Sequence, residues 1–298
     1  MTSWLHNAIH QSNKPKQSVI GVLKRHLGGM HPGRSMKVLH ASDVTKPHFC
    51  PRRWAFFDIF EKDPPPDPVS AALDVTFQMG LHAEQLVVEE WGGDAVIGNW
   101  RCRYCGEQRS MVPKPEGWCS DDRRHWWQYL QMTVEAPEYG IQGGIDALFN
   151  IGAPQLVITE MKTLNPTEFE TILTPLPEHR LRTNLYMRIL EQSLHPFKEK
   201  INTKEARVLY ISRGYGKLNA EWNEILPFKE FTVKRNDGDL QEFLKRATLL
   251  KEFRDHGVMP PGICTTALDK IAKACSVCPP CFSGKYPAGK KVECVPQV

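Results

Sequence analysis

Two short apolar runs, joined by a turn and each carrying charge, constrain this chain more than any other feature. Gln142-Gly143-Gly144-Ile145-Asp146-Ala147-Leu148-Phe149 leads through Asn150-Ile151-Gly152-Ala153-Pro154 into Leu156-Val157-Ile158-Thr159-Glu160-Met161-Lys162. Aliphatic runs bounded by a Gly/Pro turn predict a β-hairpin. Side chains alternate along a strand, so Glu160 and Lys162 share a face while Met161 turns into the core. Asp146, on the preceding strand, can face them across the pairing. Carboxylates gathered on one sheet face repel each other and lose hydration unless a cation joins them. Oxygen ligands of this kind suit a hard divalent ion such as Mg²⁺ or Mn²⁺. A solvated edge hairpin could carry Glu-x-Lys equally well. The apolar run into Glu160 and the glycine pair before Asp146, which permits close backbone approach, favour a buried site.

The rest of the chain supplies a frame for that hairpin. With 41% apolar and 24% charged residues over 298 positions, it can bury one substantial core with appended modules. Val69 to Trp91 reads as helix ending at Gly92-Gly93, and Pro177 to Gln192 has Leu181, Leu185, Ile189 and Leu190 at helical spacing. Asp239 to His256 is a further helix with Gly257 as its stop, and Arg207–Ser212 and Phe228–Lys234 read as strands. Asp63-Pro64-Pro65-Pro66-Asp67-Pro68 predicts a stiff loop. This order implies an α/β fold with a central mixed sheet flanked by helices. No apolar run approaches the roughly 18 residues of a membrane span. The N-terminus has no signal core, so a cytoplasmic location is expected. The net charge of +4 is only mildly basic, but Arg52-Arg53, Arg123-Arg124, Lys290-Lys291 and His179-Arg180-Leu181-Arg182 cluster as phosphate contacts would.

Nine cysteines in a chain without a secretory signal argue for metal rather than disulfides. Cys102-Arg103-Tyr104-Cys105 is a knuckle offering two thiolates to a tetrahedral Zn²⁺; Cys119 is a third ligand and His125 the nearest fourth. The surrounding segment has few aliphatics and needs such a staple. Its Arg101, Arg103, Arg109, Arg123, Arg124, Trp118, Trp126 and Trp127 mix charge with flat rings, which suits single-stranded DNA; equally, the tryptophans could pack the insert onto the core. Cys50 stands alone early, whereas Cys264, Cys275, Cys278 and Cys281 lie near the other end. Four thiolates commonly hold an iron–sulfur cluster, and a set split this way would tie both ends of the core together. Cys294, in the polar tail, is expected to be free.

Gly143-Gly144-Ile145-Asp146 followed by Val157-Ile158-Thr159-Glu160-Met161-Lys162 resembles the core of PD-(D/E)XK nucleases, particularly the RecB-like branch. The resemblance implies Asp146, Glu160 and the Met161 carbonyl as metal ligands and Lys162 as catalytic lysine. Met79-Gly80-Leu81-His82-Ala83-Glu84 is similar to the branch's upstream helix, which implies His82 as a further ligand. His179, Arg182 and Tyr186 stand where the branch carries a DNA-contacting helix, with Arg182 in place of the usual glutamine. Cys50-Pro51-Arg52-Arg53-Trp54 with Cys275 and Cys281 resembles the iron–sulfur exonucleases of that branch, among them the CRISPR-associated adaptation exonuclease, the AddB nuclease domain and phage-encoded relatives. It implies a [4Fe-4S] cluster on Cys50, Cys264, Cys275 and Cys281, with Cys278 the rival of Cys264.

The expectation is therefore a divalent-metal-dependent DNA exonuclease acting on single strands or ends, in recombination, replication or repair. The ion would neutralise charge on the phosphoryl oxygens and activate water. A structure-specific endonuclease on the same core and a non-catalytic iron–sulfur DNA-binding adaptor are the alternatives. The expected layout is an arm over 1–37, a nuclease core over 38–98 and 128–263, and a zinc insert over 99–127. An iron–sulfur segment over 264–285 and a tail over 286–298 complete it.

Overall fold

The computed structural model describes residues 38–60, 71–119, 122–214, 226–283 and 293–294. The expected arm over 1–37, the proline loop at 63–68 and most of the tail lie outside the described residues. In chain order the elements are β1 (Leu39–His40), α1 (Ala41–Val44), α2 (Pro51–Phe60), α3 (Ala71–Leu86), β2 (Val96–Cys102) and β3 (Gln108–Val112). They continue with β4 (Trp127–Leu130), β5 (Met132–Ala136), β6 (Ile141–Ile145), β7 (Ala147–Phe149), β8 (Leu156–Leu164) and α4 (Pro166–Thr171). The last are α5 (Pro177–Gln192), β9 (Ile201–Ser212), β10 (Phe228–Lys234), α6 (Gln241–His256), β11 (Val258–Met259), α7 (Lys270–Lys273), α8 (Cys278–Ser283) and β12 (Glu293–Cys294).

The larger sheet runs β10-β9-β8-β7-β2-β3, with β4 also paired to β2. It is mixed, because β8 and β9 run parallel while its other pairs are antiparallel. A smaller sheet has the order β1-β6-β5. Helices flank this mixed sheet, as the element order implied. The predicted hairpin forms as β7 and β8, with Ala147 opposite Thr159 and Phe149 opposite Val157.

Its first strand is shorter than the sequence pattern suggests. β6 ends at Ile145 and pairs with β5 in the small sheet, whereas β7 starts at Ala147 and pairs with β8 and β2. Asp146 is the single residue between them. The glycine pair explains how the chain comes so close to its neighbours there. A β-carbon on Gly143 would lie 2.7 Å from the Tyr186 ring and 3.0 Å from Ala41 Cβ; one on Gly144 would lie 2.6 Å from Gln131 Oε1.

Helix α5 begins with Pro177 at its first turn, where a missing N–H costs nothing. It packs against β5, β8 and β9. Leu181, Leu185, Met187, Ile189 and Leu190 are buried, and so are His179, Thr183, Asn184 and Tyr186 on its polar positions. This is a central helix rather than an amphipathic surface one. Each fully buried aliphatic of this kind stabilises the fold by roughly 1.5–3 kcal/mol.

Helix α3 continues into a π turn, Val87–Trp91, before the strand β2. Glu89 in that turn is buried, accepting a hydrogen bond from the Tyr129 N–H (3.0 Å) and another from the Gln85 amide (2.8 Å). Local widening of this sort re-aims a helix end at a site. Helix α6 stops where expected, at Gly257 in the left-handed region (φ 78°), its N–H bonding the Phe253 carbonyl. The early and late parts of the chain meet through Arg254 on Asp58 (2.8 Å) and Arg52 on the Pro260 carbonyl (2.7 Å). No helix among the described residues is long and apolar enough to cross a membrane.

Candidate active site

Strand alternation along β8 places Glu160 and Lys162 on one face, with Met161 in a second core cluster beside Val96, Trp100 and Trp127. Extending the β7–β8 register by one residue sets Asp146 opposite Glu160. The Asp146 carboxylate is held from both sides. Its Oδ1 accepts from the Gln131 amide (3.1 Å), and its Oδ2 accepts from the Met161 N–H (2.9 Å).

The Lys162 ammonium is the point on which this site converges. It lies 3.1 Å from Asp146 Oδ2, 3.1 Å from Glu160 Oε1, 3.6 Å from Glu84 Oε1 and 2.5 Å from the Met161 carbonyl. Three carboxylates and a carbonyl thus surround one cation. Arg182, on α5, adds a second cation at 2.6 Å from Glu160 Oε1. The other Glu160 oxygen is buried and has no hydrogen-bond partner among the described residues.

The electrostatics follow from crowding in a dry site. Burial pushes the Glu84 carboxyl up to about 7, and the neighbouring Asp146 adds to the rise. Burial and Glu160 raise Asp146 as well. Lys162 is raised despite its burial, because Asp146, Glu160 and Glu84 all favour the ammonium. The site therefore holds more negative charge than its own cations neutralise comfortably.

Glu84 was not among the expected site residues, and His82 was. On α3 the two lie two residues apart, about 200° around the axis. His82 is exposed, and none of the described contacts joins it to the carboxylates. Glu84 is the residue of this helix that reaches the Lys162 ammonium (3.6 Å). Gly80, four residues earlier on the same face, brings the helix against β8: a β-carbon there would sit 3.3 Å from Thr163 Oγ1. A glycine inside a helix four residues before an acid was the available signal. Gln131 carried no comparable signal, since it meets Asp146 only through the fold.

His179, Arg182 and Tyr186 do share one helix face, but that face is turned inward. Tyr186 packs under Gly143 and His179 is buried against Tyr210, so neither presents the open DNA contact expected of it. Arg182 is occupied internally by Glu160. The Tyr210 hydroxyl accepts from the Leu176 N–H (2.9 Å) and shares a second hydrogen bond with His179 Nδ1 (2.8 Å), its direction set by the imidazole tautomer. Burial, with the Lys162 and Arg182 cations nearby, lowers His179 to about 4. The folded state thus refuses a proton that the unfolded chain takes up below about 6.5. Stability should fall as pH drops from about 6.5 to 4 and stop falling below that on this residue's account, by about 3 kcal/mol in all. Urea titrations across that window should show a shallower loss for His179→Gln than for the wild type.

The cysteine predictions divide in two. Cys102, Cys105, Cys119 and His125 form a group whose donor atoms all lie within 4.8 Å of one another, so they could hold a metal ion. Cys119 Sγ is 3.5 Å from Cys102 Sγ and 3.2 Å from His125 Nδ1, and Cys105 Sγ is 3.7 Å from that nitrogen. Burial opposes ionisation of Cys102, yet hydrogen bonds around its sulfur bring it down to about 5. Cys119 is pushed up to about 12 by burial and by the two neighbouring sulfurs. At the other end, Cys264 and Cys281 are raised first by burial, and both feel the charges of Cys50 and Cys275. Among the described residues these cysteines do not form a second group of donor atoms gathered within 4.8 Å.

No protein-family model and no curated protein matches the chain. Among solved structures, an alkaline exonuclease from Laribacter hongkongensis is similar at TM-score 0.41 and 12% identity, over 74% of this chain and 90% of that one. Its complex with dAMP gives TM-score 0.39 and 12% identity over the same shares. The crystal structure of SSO0001 gives 0.35 and 13%, over 78% of this chain and 82% of that one. At these values the likeness places the chain in no family.

Proposed function

We propose that this chain is a divalent-metal-dependent DNA exonuclease of the PD-(D/E)XK type. The observation that carries the reading is the convergence of Glu84, Asp146, Glu160 and the Met161 carbonyl on a single cationic point. An all-oxygen set with a buried, unpartnered carboxylate oxygen fits a hard ion. Those four groups would hold Mg²⁺ or Mn²⁺. When bound, the ion would supply charge neutralisation at the scissile phosphate and a more acidic water.

The protein's own residues do the positioning. Gln131 and the Met161 N–H fix the Asp146 carboxylate, and Arg182 fixes Glu160. Lys162, released from the carboxylates, places its ammonium beside the phosphate oxygen on which charge develops. Cys50, Cys264, Cys275 and Cys281 would hold an iron–sulfur cluster clasping the ends of the core, and Cys102, Cys105, Cys119 and His125 would hold zinc. Neither takes part in hydrolysis. The substrate is a single strand or a DNA end, in recombination, replication or repair.

The test is degradation of end-labelled linear single-stranded DNA with Mn²⁺ or EDTA, beside Asp146→Ala. Shortening that needs the metal and vanishes in the variant supports the reading. A covalently closed single-stranded circle that is cut as fast as the linear strand would replace exonuclease by endonuclease. No cleavage of either would leave a DNA-binding adaptor.

A further inference from the structure

The lobe between β2 and β4 exposes aromatic rings that the core does not use. Tyr104, Trp118 and Trp126 keep 49%, 64% and 50% of their accessible area. Trp127, the next residue along, is buried and stacks on His125 (4.6 Å between ring centres). Packing of the lobe onto the body is therefore assigned to Trp127, and the other rings are left facing outward. A half-exposed tryptophan forgoes the stabilisation that burying its apolar surface would bring.

Each outward ring carries a guanidinium. Arg103 lies 4.7 Å over Trp126, Arg123 lies 4.6 Å over Tyr104, and Arg124 lies 5.7 Å over Trp118. The Tyr104 and Trp126 rings are themselves 5.8 Å apart. Among the described residues, neither Arg103 nor Arg124 has an acidic partner. Backbone bonds hold the arrangement: the Arg103 N–H donates to the Trp126 carbonyl (2.8 Å), and Trp118 bridges to Arg124. Cys102 and Cys105 of the Cys₃His group flank Arg103 and Tyr104 in sequence.

The same strand leads back to the carboxylates. β2 pairs with β7, Ile97 opposite Leu148, so continuing that register brings residue 99 level with Asp146. Cys102 is three residues further on, about 10 Å at the rise of a strand.

We propose that this face of alternating rings and guanidiniums is a platform for single-stranded DNA, holding the strand whose end reaches the carboxylate site. Flat rings accept the faces of unpaired bases, which a duplex hides in its stack, and guanidiniums take the phosphates between them. The proposal rests on the nuclease reading for its substrate, but binding is measured apart from cleavage.

The experiment is fluorescence anisotropy of a labelled oligo-dT with the full chain, without added divalent metal, beside a duplex of equal length. The single strand should bind more tightly than the duplex. Trp118→Ala and Trp126→Ala should each weaken binding by about 5- to 100-fold, as expected for loss of one stacked base. Trp126→Phe, which keeps a ring, should retain most of the affinity and serves as the folding control. Arg103→Gln should reduce the slope of log affinity against log salt by roughly 0.7. Unchanged affinity in both alanine variants would overturn the platform, as would tighter binding of the duplex, or displacement of the oligonucleotide by poly-glutamate as readily as by oligo-dA. A protein that binds as described but never cuts with Mn²⁺ removes the nuclease reading and leaves the platform standing. One that cuts normally, with both tryptophan variants binding like wild type, removes the platform alone.

Discussion

Lys162→Ala should cleave single-stranded DNA about 10²–10³-fold more slowly than the wild type in Mn²⁺. Without divalent ions it should also be less stable by about 3–5 kcal/mol. The two effects share one cause. In the folded protein the ammonium is the cation that touches Asp146, Glu160 and Glu84 together, and among the described residues Arg182 on Glu160 is what would remain. Removing one partner from a buried charge group leaves the others without compensation, which costs far more than the pair gained. Mn²⁺ should then stabilise the variant more than it stabilises the wild type, since an ion that binds only the folded state adds stability by mass action. Urea unfolding of both proteins with and without Mn²⁺ measures this. Equal stability of the two without metal, with equal cleavage rates, would remove Lys162 from the centre of the site.

Cys102→Ser should abolish stoichiometric zinc and open the lobe that carries the exposed tryptophans. A structural zinc contributes on the order of 10 kcal/mol or more to the small module that it organises. The lobe has little else: Cys102, Cys119 and Trp127 are among its few buried residues, and Met111 in β3 and Asp122 in a loop stand at positive φ (54° and 60°). The loss should stay local. β2 remains paired with β7 at Val96 and Ile97, inside the large sheet. Zinc content by atomic absorption should therefore fall from about one per chain, with new proteolytic cuts confined to the lobe and helical circular dichroism retained. Full zinc content in the variant would show that Cys102 is no ligand.

Much of the frame was legible from periodicity. Pro177–Gln192 appears as read, and Gly257 stops the last long helix because a left-handed residue suits glycine. Alternation alone oriented Glu160, Met161 and Lys162 correctly, since a strand has two faces and the apolar neighbours mark the inner one. The first half of β9 stayed hidden, because Asn202, Thr203 and Lys204 make a polar stretch that pairing, not composition, turns into strand. Burial of His179 and Tyr186 was equally invisible: their spacing is what a solvent-facing row would show, and only the packing of α5 against both sheets, with Tyr186 under Gly143 and His179 against Tyr210 of β9, reverses it. Glu84 and Gln131 reach the site from elements far apart in sequence, and such convergence leaves no local pattern to read.

Asp146 is shared property. Its backbone leaves one sheet and enters another, while its carboxylate is steadied by Gln131 from the turn between β4 and β5 and by Met161 from β8. A rigid-body slip of the small sheet against the large one would be transmitted to that carboxylate, so the seam between the sheets would set how tightly the proposed ion is gripped.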